Sequence, residues 1–313
     1  MKEDANFWLY GLGSGSQESP TPPPPPPPGP PDITGGTIYD LGGYRYHVFD
    51  EVGSFTLGVT AGYGDYPRGT PVTAQVLVVG GGGAGYPGGN HDAGTTYWTG
   101  GGGGGGIAGA NDPVPFDGTV PSVALSVGSY AVTVGAGATK IAYASAQLNG
   151  GSSSIVGPQV RLSAFGGGGG AGGALNANAS GLGANGGGAA VYVTAPPESS
   201  PFPGGYQGGG AVGYAGGPRR FGDISQSAAG GGAGMMGNGT TGKGGPGWIP
   251  PEGSHWLGLF AERRWKEISP GGFRSFALRD EPGSGPQTDS APGGNAGMVV
   301  VAYSYQPTTP PPH

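Results

Sequence analysis

The chain has 313 residues, including 76 glycines and 33 prolines, and its formal net charge is −6 with a sequence pI of about 5.1. This acidic balance argues against a nucleic-acid partner, because no Lys/Arg cluster is longer than a pair. There is no cysteine from which to read a redox compartment, and no apolar run approaches the ~20 residues that cross a bilayer.

The N-terminal 31 residues predict two segments that precede any folded domain. Residues 1–19 hold an aromatic cluster of Phe7, Trp8, Leu9 and Tyr10, which is costly to leave in water and predicts a docking peptide. The alternative is an unstructured tail with a chance cluster. Residues 20–31 are mostly proline and predict a semi-rigid polyproline II rod of about 37 Å, at ~3.1 Å per residue. The rod could instead be a ligand for an aromatic-lined groove.

A β-rich head is predicted over residues 32–306, followed by a proline-rich tail at 307–313. Residues 44–49 and 54–59 alternate apolar and polar side chains, as half-buried strands do. Residues 76–79 are a continuous apolar run, which indicates a strand buried on both faces. Further strands are predicted at 120–127, 130–134, 140–148, 159–165 and 298–305.

Glycine tracts separate these strands. They lie at 80–89, 100–106, 166–173, 181–188, 204–217, 230–247 and 293–297. Ordered glycine loses much backbone entropy, which dense backbone hydrogen bonding must offset. Packed left-handed polyglycine helices of the polyproline II type do this, because their outward N–H and C=O groups pair with neighbouring chains. The prediction is a mostly β, sandwich-like scaffold with glycine tracts as such helices.

One segment departs from this pattern. Residues 254–268 combine apolar and charged side chains and predict the one helix, with Ser254 as N-cap and Pro270 beyond its end. The first interpretation is a helix that covers one end of the sheet. The alternative is a partner contact through Trp256, Phe260 and Trp265, since tryptophan is favoured at interface hot spots.

Two motifs resemble nucleotide-binding loops but lack the required context. Residues 76–85 (VLVVGGGGAG) mimic a dinucleotide-binding turn, yet Tyr86-Pro87 follows where a helix must begin. Residues 237–243 match most of a phosphate-binding loop, but Gly244 stands where Ser or Thr must hold Mg²⁺. The histidines, at 47, 91, 255 and 313, show no zinc spacing. We therefore predict no catalysis, no metal and no cofactor.

Taken in order, several pieces of the chain resemble the phage glycine-rich domain proteins, a family that includes polyglycine-sandwich adhesins at the tips of tail fibres. These pieces are residues 44–49 (YRYHVF), 53–56 (GSFT), 75–85 (QVLVVGGGGAG), 100–106, 128–137 (GSYAVTVGAG), 150–155 (GGSSSI), 164–170 (AFGGGGG) and 297–303 (GMVVVAY). The resemblance spans roughly residues 35–305. Residues 189–203 and 254–268 are insertions relative to the core pattern.

The resemblance implies a β scaffold with packed glycine helices, and connecting loops that bind a host receptor in the adhesin members. Exposed aromatic residues supply contact area at low entropy cost and stack on sugars. The host-binding candidates in these loops are Tyr86, His91, Tyr97, Trp98, Tyr192, Phe202, Tyr206 and Tyr214. The alternative role for each is to shield the glycine helices. The receptor would be a host surface glycan or an outer-membrane protein.

The function expected from the sequence is a non-enzymatic structural protein of the bacteriophage virion, on the exterior of the particle, as a tail-fibre or tail-tip component. A virion protein freed by host lysis would explain an extracellular-type composition behind an acidic N-terminus that does not resemble a signal peptide. The alternative is a capsid, neck or tail decoration or fibre protein, anchored through residues 1–19 and without a receptor role. Irregular tracts and large aromatics argue against a third function, ice binding. A homotrimer would suit a fibre, although no heptad or other assembly signature is present.

Overall fold

A computed structural model describes residues 32–60, 71–85, 90–91, 95–98, 103–108, 116–139, 149–170, 191–192, 236, 245–269 and 294–305. Over these ranges the fold is mostly β, with two antiparallel sheets in a sandwich-like arrangement and one short helix, which confirms the predicted class. The docking peptide, the proline rod, the proline-rich tail and the strand predicted at 140–148 lie outside the described residues.

The elements follow in chain order. They are β1 (Asp32–Thr34), β2 (Thr37–Leu41), β3 (Tyr44–Phe49), β4 (Gly53–Thr60), β5 (Val72–Val79), β6 (Asn90–His91), β7 (Thr95–Trp98), β8 (Ser122–Leu125), β9 (Gly128–Val134), β10 (Ser153–Gly157), β11 (Val160–Ala164), β12 (Val191–Tyr192), α1 (Trp256–Arg263) and β13 (Met298–Ser304). Sheet A has the order β1-β4-β9-β10-β11, and sheet B has the order β2-β3-β13-β5-β8. A small third sheet has the order β12-β7-β6.

The first hydrophobic core lies between sheets A and B. Strand alternation sends one set of side chains inward from each sheet, and these include Leu57, Tyr130 and Ile155 from sheet A and Val76 and Val301 from sheet B. All five are fully buried. This core accounts for the alternating pattern of β4 and β9, whose other faces are exposed.

A second core covers the opposite face of sheet B. Residues 245–269 lie there, and the side chains of Trp248, Trp256 and Leu259 pack against Leu77 and Val300 of the sheet. Strands β5 and β13 are thus buried on both faces, which explains their continuous apolar sequences. The segment predicted to cover one end of the sheet covers its face instead.

Helix α1 is shorter than the predicted 254–268. It ends at Arg263 because Arg264 adopts the left-handed conformation with φ 58°. The Trp265 N–H then bonds the Phe260 carbonyl at 3.0 Å, and Ile268 forms an antiparallel bridge with Trp248. The N-cap is His255, which makes no side-chain capping bond, so the predicted N-cap, Ser254, is one residue too early. The Ser254 hydroxyl nevertheless accepts the Trp256 N–H at 3.3 Å.

A polyglycine bundle extends the sandwich at one pole. Its central tract, residues 80–84, continues from β5, and its hydrogen-bond partners rotate with a period of three. Gly80 and Gly83 donate to the carbonyls of residues 106 and 103 of a single neighbour, whereas Gly81 donates to Gly151 and Gly82 to Asn295, all at 2.9 Å. A period of three is that of the polyproline II helix and excludes a β-strand, whose period is two.

Five neighbouring tracts surround the central one. They are residues 103–106, 135–138, 149–151, 166–170 and 294–297, and each exchanges a backbone hydrogen bond with residues 80–84. Gly81, Gly82 and Ala84 accept the N–H groups of residues 167, 138 and 170 at 2.7–2.9 Å. None of the described tract glycines has the positive φ that a right-handed mirror form would need. The predicted left-handed glycine helices are therefore present, and two of the tracts, at 135–138 and 149–151, were not among those predicted.

Strands of both sheets enter the glycine bundle at one pole of the head, and the ends of the described chain lie at the other. In sheet B, Met298 pairs with Val79 beside the bundle, and Ser304 pairs with Tyr44 at the opposite end. In sheet A, Val134 enters the bundle, whereas Asp32 pairs with Thr60 at the opposite end. The described chain therefore begins and ends at one pole, which we call the base, and the bundle forms the other pole.

The close packing of the bundle predicts a penalty for a single methyl group. A Cβ at Gly81 would overlap the backbone carbonyl of Ala136, so Gly81→Ala should lower the free energy of unfolding by about 1–3 kcal/mol, the usual cost of overpacking. Differential scanning calorimetry would measure the loss. Gly258→Ala is the matched control, because its nearest neighbour would be the Leu41 Cβ at 3.9 Å and alanine favours the helix. Equal melting temperatures for the two variants would contradict this account.

Candidate functional site

In the chain, connecting segments join successive tracts of the bundle. Residues 86–102 join the central tract to the tract at 103–106, and residues 140–148 join the tracts at 135–138 and 149–151. The chain beyond residue 170 leaves from the same bundle and includes β12. Loops carried on a rigid scaffold are where binding residues concentrate.

The small third sheet is the described part of these connections. Strand β7 is its centre, with Thr95 and Thr96 paired to β6, and Tyr97 and Trp98 paired to β12. The ladder brings together His91, Tyr97, Trp98 and Tyr192, which are four of the eight predicted host-binding residues. The other four, Tyr86, Phe202, Tyr206 and Tyr214, lie outside the described residues, as do the docking residues Phe7, Trp8, Leu9 and Tyr10.

The predicted partner-contact residues occupy a different place. Trp256 is 2 % exposed, Phe260 4 % and Trp265 9 %, and all three belong to the second core. Phe260 meets Trp248 and Trp265 edge to face, with ring centroids 5.8 and 5.7 Å apart. Their burial agrees with the interpretation that this segment packs on the sheet. It argues against a contact surface made from these rings.

A chain of hydrogen bonds fixes the start of α1 on sheet B. The Trp256 indole donates to Gln75 Oε1 at 2.7 Å, which determines the orientation of that amide. His255 Nε2 lies 2.8 Å from the same oxygen and must therefore carry the proton. Its Nδ1 is then an acceptor, and the single proton of the Tyr46 hydroxyl faces two acceptors, this Nδ1 and the His255 backbone carbonyl, each 2.9 Å away. The sequence gives no signal for this network, because Gln75 and His255 are far apart in the chain.

Burial favours the neutral forms of the histidine and tyrosine side chains in this region. Desolvation lowers the pKa of His255, whose ring also stacks on Tyr44 at 3.9 Å, and raises the pKa of Tyr46 to about 12. His47, on the other face of β3, donates from Nδ1 to the Gly35 carbonyl at 2.7 Å. Burial lowers its pKa as well, and the bond to Gly35 offsets this in part.

Two ion pairs hold outer strands and the helix in place. Arg45 binds the carboxylate of Asp40 with two bonds of 2.7 Å, and its guanidinium lies 3.6 Å from the centre of the Tyr305 ring. Arg263 at the end of α1 binds Asp50 and donates to the Tyr39 hydroxyl at 2.8 Å. Both arginines are thus paired with carboxylates of the head and have structural roles there.

Residues 76–85, which mimic a dinucleotide-binding turn in sequence, form the end of β5 and the central glycine tract. The N–H groups of residues 80–83, which would have to face a phosphate, all donate to neighbouring glycine tracts. Among the described residues, no group of three or more His, Cys, Asp and Glu side chains could hold a metal ion. Nor does that part of the chain contain a helix long and apolar enough to cross a membrane. The second motif, at 237–243, lies outside the described ranges.

A family model described as a glycine-rich domain matches residues 62–309, which include the central tract and both insertions. No curated protein matches the chain.

The two shielded histidines predict a loss of stability in mild acid. Unfolded histidine has a pKa near 6.5, and both folded values are lower, so the unfolded chain takes up protons that the folded chain resists. Their contribution to stability should be complete above about pH 6.5 and decline as the pH falls below it. Chemical unfolding at pH 7.5 and pH 5.5 would measure the change.

Replacement of His47 and His255 by Gln supplies the control for this pH effect. The double variant should be less stable at pH 7.5 but lose less further stability at pH 5.5 than the parent chain. An equally steep loss would show that other groups cause it.

Proposed function

The chain belongs to the glycine-rich domain family, and on this premise we propose that it is a non-enzymatic structural protein of the bacteriophage virion that carries host-binding segments on its outer end. The N-terminal residues would attach it to the particle, and the polyproline rod would hold the head outward. It would act as a tail-fibre or tail-tip component.

The separation of the two poles is the observation that carries this proposal. Asp32, which follows the polyproline sequence, is at the base of sheet A, and Tyr305, which precedes the proline-rich tail, is at the base of sheet B. The described glycine tracts are at the opposite pole. A particle attached through residues 1–31 would therefore present the bundle pole to its surroundings.

The bundle also suits the task of presenting chain segments in fixed positions. Six tracts from both sheets are cross-linked by backbone hydrogen bonds, and the central one is buried. Such a unit holds its far end in a fixed position relative to the sandwich, without flexible linkers. Specificity can then change in the connecting segments while the scaffold stays constant.

Immunogold electron microscopy of the phage particle tests this arrangement. Fab fragments against the peptides 1–19 and 86–102 should place their labels in a fixed order, with the second label farther from the particle. The rod alone should add about 37 Å between them if it is extended at ~3.1 Å per residue. Labels at the distal ends of fibres would support a host-binding component.

A variant without residues 1–19 should be absent from purified particles although the head is produced and folded. Both labels flat on the capsid, neck or tail shaft would favour a decoration protein, and an inverted order of labels would contradict the presentation of the bundle pole. Absence of label from every particle would remove the virion assignment.

A further inference from the structure

The base brings the two ends of the described chain close together. Asp32 begins β1, and the carbonyl of Gly35, just beyond this strand, accepts the Nδ1–H of His47 at 2.7 Å. The His47 ring stacks on Tyr303 with ring centroids 5.8 Å apart, two residues before the end of the described chain. Burial raises the pKa of Tyr303, Arg45 lowers it, and the carboxylate of Asp32 is near enough to raise it further. The root of β1 and the end of β13 are therefore neighbours.

An arginine–tyrosine pair lies at this junction. Arg45 is opposite Tyr303 in the ladder, and its guanidinium is 3.6 Å from the centre of the Tyr305 ring. Two bonds of 2.7 Å to Asp40 hold the guanidinium there, and the Tyr305 N–H donates to the Gly43 carbonyl at 2.8 Å. Tyr305 is only half-buried against the first core. The pair of Arg45 and Tyr305, which we call the base stack, is thus a fixed aromatic surface whose charge is already paired.

Prolines directly precede β1 in the sequence. Pro30 and Pro31 meet Asp32 without a spacer, and a polyproline II segment has extended dihedral angles that can continue into a strand. Alternation along such an extended chain would place Pro31 on the same side as Ile33, which points into the first core. Polyproline II segments dock on aromatic-lined surfaces because they are preformed and lose little entropy on binding. Neutral proline rings also suit a guanidinium that already has its carboxylate.

We propose that the base stack is an intramolecular docking surface for the rod, with its last two prolines, Pro30 and Pro31, packed on Tyr305. The proline-rich tail is a less suitable occupant, because two threonines separate its continuous prolines, residues 310–312, from Pro307. The packing fixes the direction of the rod relative to the head, so that the base faces the point of attachment. The packing itself is independent of the virion role, whereas this use of it rests on the proposed function.

Nuclear Overhauser effects test the contact in the full-length chain, deuterated except at tyrosine and proline. We expect contacts from the Tyr305 ring to proline protons, identified by their loss in Tyr305→Leu. They should disappear in Pro30→Ala with Pro31→Ala, and persist in Pro310→Ala with Pro311→Ala. Loss in the second pair alone would assign the surface to the tail and overturn the proposal. Contacts that survive in both pairs, or no contact at all, would overturn it too.

The energetic coupling is tested by a double-mutant cycle of melting temperatures. Tyr305→Leu keeps apolar bulk beside the core, and combined with Pro30→Ala and Pro31→Ala it should lower the melting temperature by less than the sum of the separate losses. The effect of the prolines on the unfolded chain cancels in this comparison, because it is the same with either residue at position 305. Combined with Pro310→Ala and Pro311→Ala, the losses should add. Additive losses in both cycles would show that the base stack serves the head alone.

Failure of the docking and failure of the proposed function are distinguishable. Contacts in the purified chain together with an inverted order of labels on the particle would support the docking and remove the presentation of the bundle pole. The expected order of labels without contacts would leave the proposed function in place and overturn the docking.

Discussion

The structure depends on complete backbone pairing of one glycine tract. A three-residue helix has no internal hydrogen bonds, so the buried N–H groups of residues 80–83 must all find acceptors on other tracts. Those acceptors come from both sheets and from the connection at 103–106. Pairing of the central tract therefore requires the two sheets to meet in one register at the bundle pole, and it links their assembly to the formation of the bundle.

The sandwich in turn makes the bundle possible. Glycine pays a high entropic cost for order, but five of the six tracts directly adjoin strands of the two sheets, and those strands fix where each tract starts and its direction. The second core contributes because α1 and Trp248 cover the outer face of sheet B. Both faces of β5 are thereby held, and β5 is the strand that positions the central tract.

Much of this fold could be predicted from local patterns, and the failures have physical causes. Alternation located β3 and β4, the continuous apolar run at 76–79 identified β5 as buried on both faces, and β9 and β13 were predicted as strands. Residues 46–49 of β3 are buried on both faces, so the half-buried pattern expected there is wrong. Strand β10 was missed because its serines resemble a turn. The helix ended early through the left-handed conformation of Arg264, which composition does not reveal. Pairing of β7 with β12 depends on two residues far along the chain, so it could not be anticipated, although four ladder residues had been selected for their chemistry.

Under the proposed function, recognition would come from the segments that join the tracts, because a polyglycine surface has little chemistry of its own. The bundle offers backbone groups, and those of its central tract are engaged inside it. Aromatic composition alone does not locate the recognition site either, since Trp248, Trp256 and Trp265 serve the second core. What separates the two groups of aromatic residues is their position. One group is folded back over sheet B, and the other lies on the short strands β7 and β12, in segments that follow glycine tracts in the chain. A scaffold of this kind can keep its glycine pairing unchanged while the chemistry of its connections varies.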